Sequence, residues 1–334
     1  MSDIYPFGAN YFDVGRHRMH YVDEGEGDPV LMVHGNPSWS FYYRNLIRDL
    51  SRDRRAVAPD HIGCGRSDKP RAADYNYTLA SRVDDLERFV DHLGLERLTL
   101  VVHDWGGMIG MAWAVRHPQR VSKIVLLNTG AFHLPQGKRF PVALMLARLP
   151  GIGEVLVRGG NAFVRGAIRF CVRSKRMPPD VAAGYLEPYD SWKHRVAVHR
   201  FVQDIPLWPS DPAYAVVSET ADALIRLADK PMLICWGMRD FVFDHHFLEE
   251  WETRFAGAEV HRYPRCGHYI LEDAAEEIVP LVRAFIEKGE GAKKNEHAQA
   301  SDDVERIVRT AGAEGAAGAE GVDEAAAADE VVST

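Results

Sequence analysis

Residues 98–115, LTLVVHDWGGMIGMAWAV, decide how the rest of the chain is read. A run of apolar and β-branched residues leads into Asp104, and Gly106 and Gly107 open a helical pattern straight after it. A buried strand that turns at once into a helix has the shape of a nucleophile elbow. Glycines there let the backbone crowd without a Cβ clash. The helix N-terminus behind the turn supplies N–H groups and a positive dipole end for a developing anion. Two features depart from the usual motif: the nucleophile slot holds Asp, and Val102 stands two residues before it in place of glycine. An aspartate ahead of a helix is also a common N-cap. This segment alone therefore leaves both roles open.

The flanking chain has one rhythm. YFDVGRHRMHYVDEG and PVLMVHG, within residues 11–35, read as strands, residues 40–50 as a helix, and RRAVAPD as another strand. TLASRVDDLERFVDHLGL has helical spacing, with Thr78 as N-cap and Gly94 as the stop. After the opening segment KIVLLNTG is a strand, and PMLICWG (231–237) and EVHRYP (259–264) resume the sheet before the final helix AAEEIVPLVRAFIEK. Strands alternating with helices predict an α/β protein with a mostly parallel, doubly wound sheet. The rhythm breaks between Phe132 and Asp211, where FPVALMLARL and NAFVRGAIRFCVRS are helical. The expected organisation is an α/β-hydrolase core at 1–131 and 212–288, a helical cap at 132–211, and a disordered Ala/Gly/Glu-rich tail at 289–334.

Composition narrows the function. The 334 residues carry a net charge of −8, which argues against a nucleic-acid binder. No apolar run approaches a membrane span, and the N-terminus lacks the pattern of a signal peptide. The four cysteines, Cys64, Cys171, Cys235 and Cys266, lack metal or disulfide spacing. A cytoplasmic enzyme with buried free thiols, and with neither metal nor other cofactor, is the expectation.

Three more loops carry chemistry. RCGHYILED places His268 after the last strand, where this fold carries its general base, and CWGMRDFVFD places Asp240 where an acid orients that histidine. The order nucleophile, acid, histidine is that of the α/β-hydrolases. Asp244 is a second candidate for the acid. VHGNPSWS at 33–40 is the turn that supplies an oxyanion-hole N–H, with a second from Trp105. Asn36 adds a side-chain amide and Trp105 an indole donor. Two neutral donors beside a carboxylate suit an anionic leaving group, each worth roughly 1.5–3 kcal/mol. His34 and His103 read as structural neighbours.

With HGNPSWS and HDWGG the chain resembles the haloalkane dehalogenase superfamily over residues ~5–288. The resemblance implies that Asp104 forms an ester by displacement, that His268 activates water, and that Asn36 and Trp105 hold the departing anion. It also implies an acid after the sixth or seventh strand; Asn128 occupies the first of these places, so Asp240 takes the role. HGNPSWSFYYRNL, LLNTGAF, VRGGNAF and CWGMRDFVFDHHF are most similar to the third dehalogenase subfamily, which overlaps the OleB-type β-lactone decarboxylases of bacterial long-chain olefin synthesis. That branch implies conversion of cis-3-alkyl-4-alkyloxetan-2-ones to cis-alkenes and carbon dioxide.

Haloalkane hydrolysis is the alternative. Epoxide hydrolysis is third, because it needs cap tyrosines, for which Tyr185, Tyr189 and Tyr214 are available, and usually an aromatic residue at position 36. A ligand receptor on a dead hydrolase scaffold is the non-enzyme reading, and the complete set of loop residues argues against it. Expected partners are a small hydrophobic substrate with alkyl chains and other olefin-synthesis enzymes. The cap holds nine basic residues between Lys138 and Arg176 against one acid, Glu154, a net of +8. Such a cap suits peripheral membrane contact or an acidic partner, though its arginines can equally be solvated.

Overall fold

The computed structural model describes residues 4–288, and the expected tail at 289–334 lies outside the described residues. Eight strands form one sheet: β1 (Asn10–Val14), β2 (His17–Glu24), β3 (Pro29–Val33), β4 (Arg55–Pro59), β5 (Leu98–Asp104), β6 (Val121–Thr129), β7 (Met232–Gly237) and β8 (Glu259–Tyr263). Their order is β1-β2-β4-β3-β5-β6-β7-β8. β1 and β2 pair antiparallel, as do β2 and β4, and every pair from β4 to β8 is parallel. The mostly parallel sheet expected from the alternating pattern is thus observed, with an antiparallel edge.

Both faces of the sheet are covered. Side chains alternate along each strand, so Leu31 and Val33 enter one hydrophobic core while Val30 and Met32 enter the other. β5 divides the same way, with Leu98, Leu100 and Val102 on one side and Val101 on the other. All seven β5 residues are buried, as a strand covered on both faces requires. Helices α1 (Arg44–Leu50), α2 (Leu79–His92) and α3 (Trp105–Arg116) follow β3, β4 and β5. α2 begins where Thr78 accepts the Ser81 N–H, and Gly94, in the left-handed region at φ 59°, ends it.

No strand interrupts the described chain between β6 and β7. Its principal helices are α4 (Val142–Arg148), α5 (Ala162–Phe170), α6 (Pro179–Leu186), α7 (Val196–Gln203) and α8 (Tyr214–Ala223). α9 (His245–Arg254) and α10 (Ile270–Glu287) complete the fold. α10 starts earlier than the AAEE pattern suggests: a turn at Ile270–Asp273 precedes a break at Ala274, φ −141°. Among the described residues no helix is long and apolar enough to cross a membrane. The four cysteines are free and buried.

One buried ion pair ties the layers together. Arg44 of α1 donates from Nη1 and Nη2 to the two Glu272 oxygens at 2.5 and 2.7 Å, and Tyr185 of α6 donates to the same carboxylate at 2.5 Å. Removing one partner strands the other charge out of water. Glu272→Ala is expected to cost about 3–5 kcal/mol in urea unfolding. The double change Arg44→Met with Glu272→Leu should recover most of that loss; a single change that costs nothing would remove the pair from this role.

Candidate active site

The strand order explains why β3 and β5 carry the site. From β3 the chain moves one way to β4, then returns past β3 to β5, so the loops leaving the ends of β3 and β5 diverge. Such a switch point opens a crevice at the carboxyl ends of the strands. Gly35 and Asn36 follow β3 on one side of it, and Asp104 ends β5 on the other.

Asp104 sits at φ 52°, ψ −127°, a backbone state costly for a residue with a Cβ. Close approaches hold it there. A Cβ on Gly106 would lie 1.9 Å from the Val33 carbonyl oxygen, and one on Gly35 would lie 2.1 Å from Asp104 Oδ1. Thr129 Oγ1 donates to the Asp104 carbonyl at 2.5 Å. Val102, which departs from the usual glycine, is accommodated across the turn: its Cγ1 lies 2.8 Å from where Gly110 of α3 would carry a Cβ. The space that the motif gains with one glycine is gained here with another.

The carboxylate is buried and faces two donors. Oδ1 accepts the Asn36 backbone N–H at 2.6 Å, and Oδ2 lies 3.5 Å from His268 Nε2. Burial raises its pKa, but the His268 hydrogen bond and charge, with the Asn36 N–H, outweigh that and hold it below the ordinary range. His268 Nδ1–H donates to Asp240 Oδ2 at 2.7 Å. Burial opposes the imidazolium, yet Asp240 and Asp104 prevail and raise its pKa to about 10. The structure therefore brings Asp104, His268 and Asp240 into one charged chain. Asp244 lies elsewhere: it caps α9 through the His246 N–H and pairs with Lys138 at 2.9 Å.

Further residues complete the chain. Asn128, at φ 36°, donates from Nδ2 to Asp240 Oδ2 at 3.0 Å and accepts the Gly237 N–H at 2.8 Å. It occupies the sixth-strand place and braces the acid that follows the seventh. Asp273, not singled out from sequence, accepts N–H bonds from Gly267 at 2.7 Å, Arg173 at 3.0 Å and Ser174 at 2.7 Å. It fastens the His268 loop to the segment after α5. Its only sequence signal was an acid five residues beyond His268. His103, kept neutral by burial and the His268 charge, with its pKa lowered to about 3, donates to the His268 carbonyl at 2.9 Å. His34 accepts from the His61 N–H at 3.0 Å.

A cavity of about 360 Å³ opens over Asp104. Asn36, Trp105, His268, Cys171 and Asp104 line it; its other lining residues are Pro, Ala, Gly, Val, Leu, Ile, Met and Phe. The surface suits a small lipophilic substrate. The Trp105 indole N–H makes no hydrogen bond within the described chain, while Asn36 Nδ2 has one bond, to the Val198 carbonyl at 3.2 Å. Tyr185, Tyr189 and Tyr214 are absent from the lining. Tyr185 is bonded to Glu272 and Tyr189 to the Ser38 carbonyl, so the cap tyrosines that epoxide opening would need are engaged elsewhere or turned away. Among the described residues Asp244, His245 and His246 could together offer metal ligands, but the Asp244 carboxylate is committed to Lys138 and α9, and none of the three lines the cavity.

The charge state has a measurable sign. An imidazole raised from 6.5 to about 10 contributes stability that is complete below pH 6.5 and is lost as pH rises through about 10. At about pH 8, between these limits, nitrogen NMR should find His268 protonated in the native protein and neutral in Asp240→Asn. A neutral His268 in the native protein at that pH would overturn the charge assignment.

Residues 28–275 match the family model described as the alpha/beta hydrolase fold. The chain is 49% identical over 291 residues to the cis-3-alkyl-4-alkyloxetan-2-one decarboxylase of Shewanella oneidensis, covering 87% of this chain and 92% of the relative. It is 47% identical to the decarboxylase of the same name in Xanthomonas campestris pv. campestris, covering 81% and 92%. A haloalkane dehalogenase of Mycobacterium marinum is 35% identical, covering 83% and 93%. The crystal structure of the haloalkane dehalogenase DatA from Agrobacterium tumefaciens C58 superposes with a TM-score of 0.75 at 26% identity, covering 83% and 95%. With Asp104, His268 and Asp240 on the strand ends of that fold, the chain belongs to the α/β-hydrolase family, in the branch that joins these decarboxylases to the haloalkane dehalogenases.

Proposed function

We propose that this chain is a β-lactone decarboxylase, a carbon–carbon lyase that converts cis-3-alkyl-4-alkyloxetan-2-ones to cis-alkenes and carbon dioxide in long-chain olefin synthesis. The observation that carries the proposal is similarity: relatives of that name stand at 49% and 47% identity, against 35% for a dehalogenase. The reading extends to a cytoplasmic location, a complex with other olefin-synthesis enzymes, and peripheral membrane contact through the basic cap.

The geometry supports a role for each residue. Asn36 N–H fixes Oδ1 of Asp104, leaving Oδ2 as the oxygen that attacks. Oδ2 forms a bond to ring carbon C4 with inversion, and the C4–O1 bond breaks, leaving a carboxylate on C3. That carboxylate departs toward the unpaired Trp105 N–H and the second Asn36 amide hydrogen, where a dehalogenase would hold halide. The C3–carboxylate bond then breaks, its electrons form the C3–C4 double bond, and the C4–Oδ2 bond breaks to release carbon dioxide and free Asp104. Inversion followed by anti elimination is net syn loss, so a cis ring gives a cis alkene. No water or proton is consumed. Charged His268, held by Asp240, stabilises Asp104 as it leaves.

Purified protein should release alkene from a cis-dialkyl β-lactone and little bromide from a short bromoalkane; fast bromide release without alkene sinks the lyase reading in favour of the dehalogenase. Asp104→Ala should abolish either activity. His268→Gln discriminates further. A hydrolytic enzyme so changed stalls after one equivalent of bromide with an ester on Asp104, whereas the lyase continues to turn over lactone more slowly, which product counting and intact mass will read.

A further inference from the structure

We propose that the outer face of α4 and α5 is a docking surface for an anionic phospholipid bilayer, placed so that the cavity opens directly against the acyl chains. The inference rests on the reading that the substrate is lipophilic, and it assigns that reading a surface.

The apolar part is local and unusually bare. Val142 and Leu146 of α4, continued by Leu149, follow i, i+4, i+7 spacing and form one exposed stripe, with Val142 74% accessible. Ile152 and Val155 extend it, Val155 at 63%. The turn that carries them packs tightly beside α4, since a Cβ on Gly153 would lie only 2.0 Å from the Ala147 carbonyl oxygen. None of these five side chains lines the cavity, but their neighbours do. Leu134, Leu156, Phe170 and Phe241 are each exposed and each line it, so they form its mouth. A soluble chain rarely leaves such a continuous apolar patch in water without a partner.

The rim of this patch is cationic. Lys138, Arg148 and Arg158 are neutralised by Asp244, Asp211 and Glu154. Arg139, Arg165, Arg169, Arg173, Lys175 and Arg176 are exposed and make no ion pair with a carboxylate among the described residues. Arg165 and Arg169 lie one turn apart on α5, and the Arg169 guanidinium sits 5.5 Å from the centre of the Phe170 ring. The positive rim therefore reaches the mouth itself, in a chain whose net charge is −8. An exposed apolar stripe with unpaired arginines on the neighbouring helix is the pattern of a helix pair lying in a lipid interface. A second copy docked face to face would oppose like charges. An acidic protein seated there would cover the cavity mouth, whereas a bilayer would fill it with the phase in which long alkyl chains dissolve.

The test uses the whole chain and lipid vesicles without substrate. The protein should float with vesicles of phosphatidylcholine containing about one-third phosphatidylglycerol, and stay behind with phosphatidylcholine alone. Salt should weaken the association, as screening requires. Arg165→Gln with Arg169→Gln should weaken it about thirtyfold, and Val142→Ser with Val155→Ser should also weaken it. Both variants should decompose a short-chain, water-soluble lactone at the native rate. Absence of flotation with anionic vesicles, equal flotation with both compositions, or flotation unchanged in both variants overturns the proposal. Vesicle binding without any lactone turnover supports the surface and refutes the decarboxylase reading instead.

Discussion

A carboxylate held out of water in a strained turn has to be compensated from several directions at once. Asp104 lies at φ 52° and is buried among Gly35, Gly106 and the Thr129 hydroxyl, with the Asn36 N–H on one oxygen and His268 facing the other. Apart from Gly106, these neighbours come from three other strand ends. Residues 35 and 36 leave β3, Thr129 ends β6, and His268 follows β8. The sheet must be complete before the carboxylate is satisfied, and an unsatisfied buried carboxylate is costly. Strain of this kind persists only where the surroundings over-determine it. The turn is thus tolerated because supports from three separate strand ends converge on it.

The charge balance of the resting site bears on which chemistry it performs. Asp104 and Asp240 flank His268 and keep it protonated, so the site carries two negative charges around one positive charge. Forming an ester on Asp104 removes one of those carboxylates. His268 then becomes easier to deprotonate, because half of what held its proton has gone. A hydrolytic cycle needs that change, since a protonated imidazole cannot take a proton from water. A decarboxylation that consumes no water does not need it.

Legibility in the sequence followed the range of the interactions. The β5 strand, its glycine pair and α3 are contiguous, so their pattern was visible in eighteen residues. His268 and Asp240 were found because this fold fixes the order of its loops, although their contact spans 28 residues. The acid Asp273 was not legible, because the Arg173 N–H that it accepts lies 100 residues away. Nor was the Arg44–Glu272 pair, separated by 228. Val102 looked like a departure from the motif because its compensation, Gly110, lies eight residues on, and only helical packing brings the two together. Side-chain partners set by tertiary geometry leave no periodic trace.

The cavity and the buried ions set opposing demands. An apolar lining raises the energy of a bare carboxylate, and the same lack of water strengthens each hydrogen bond and charge aimed at it. Asp104 remains ionised because the donors outweigh the desolvation. Lipophilic substrate entering this space displaces water that the carboxylate would otherwise hold, while the Asn36 N–H and His268 stay in place. The Asp104 carboxylate thereby loses solvent but keeps its fixed partners, the Asn36 N–H on Oδ1 and His268 beside Oδ2. The polar side chains of the lining, Asn36, Asp104, Trp105 and His268, thus meet walls that are otherwise almost wholly apolar, so the cavity offers a small lipophilic molecule few polar contacts besides these.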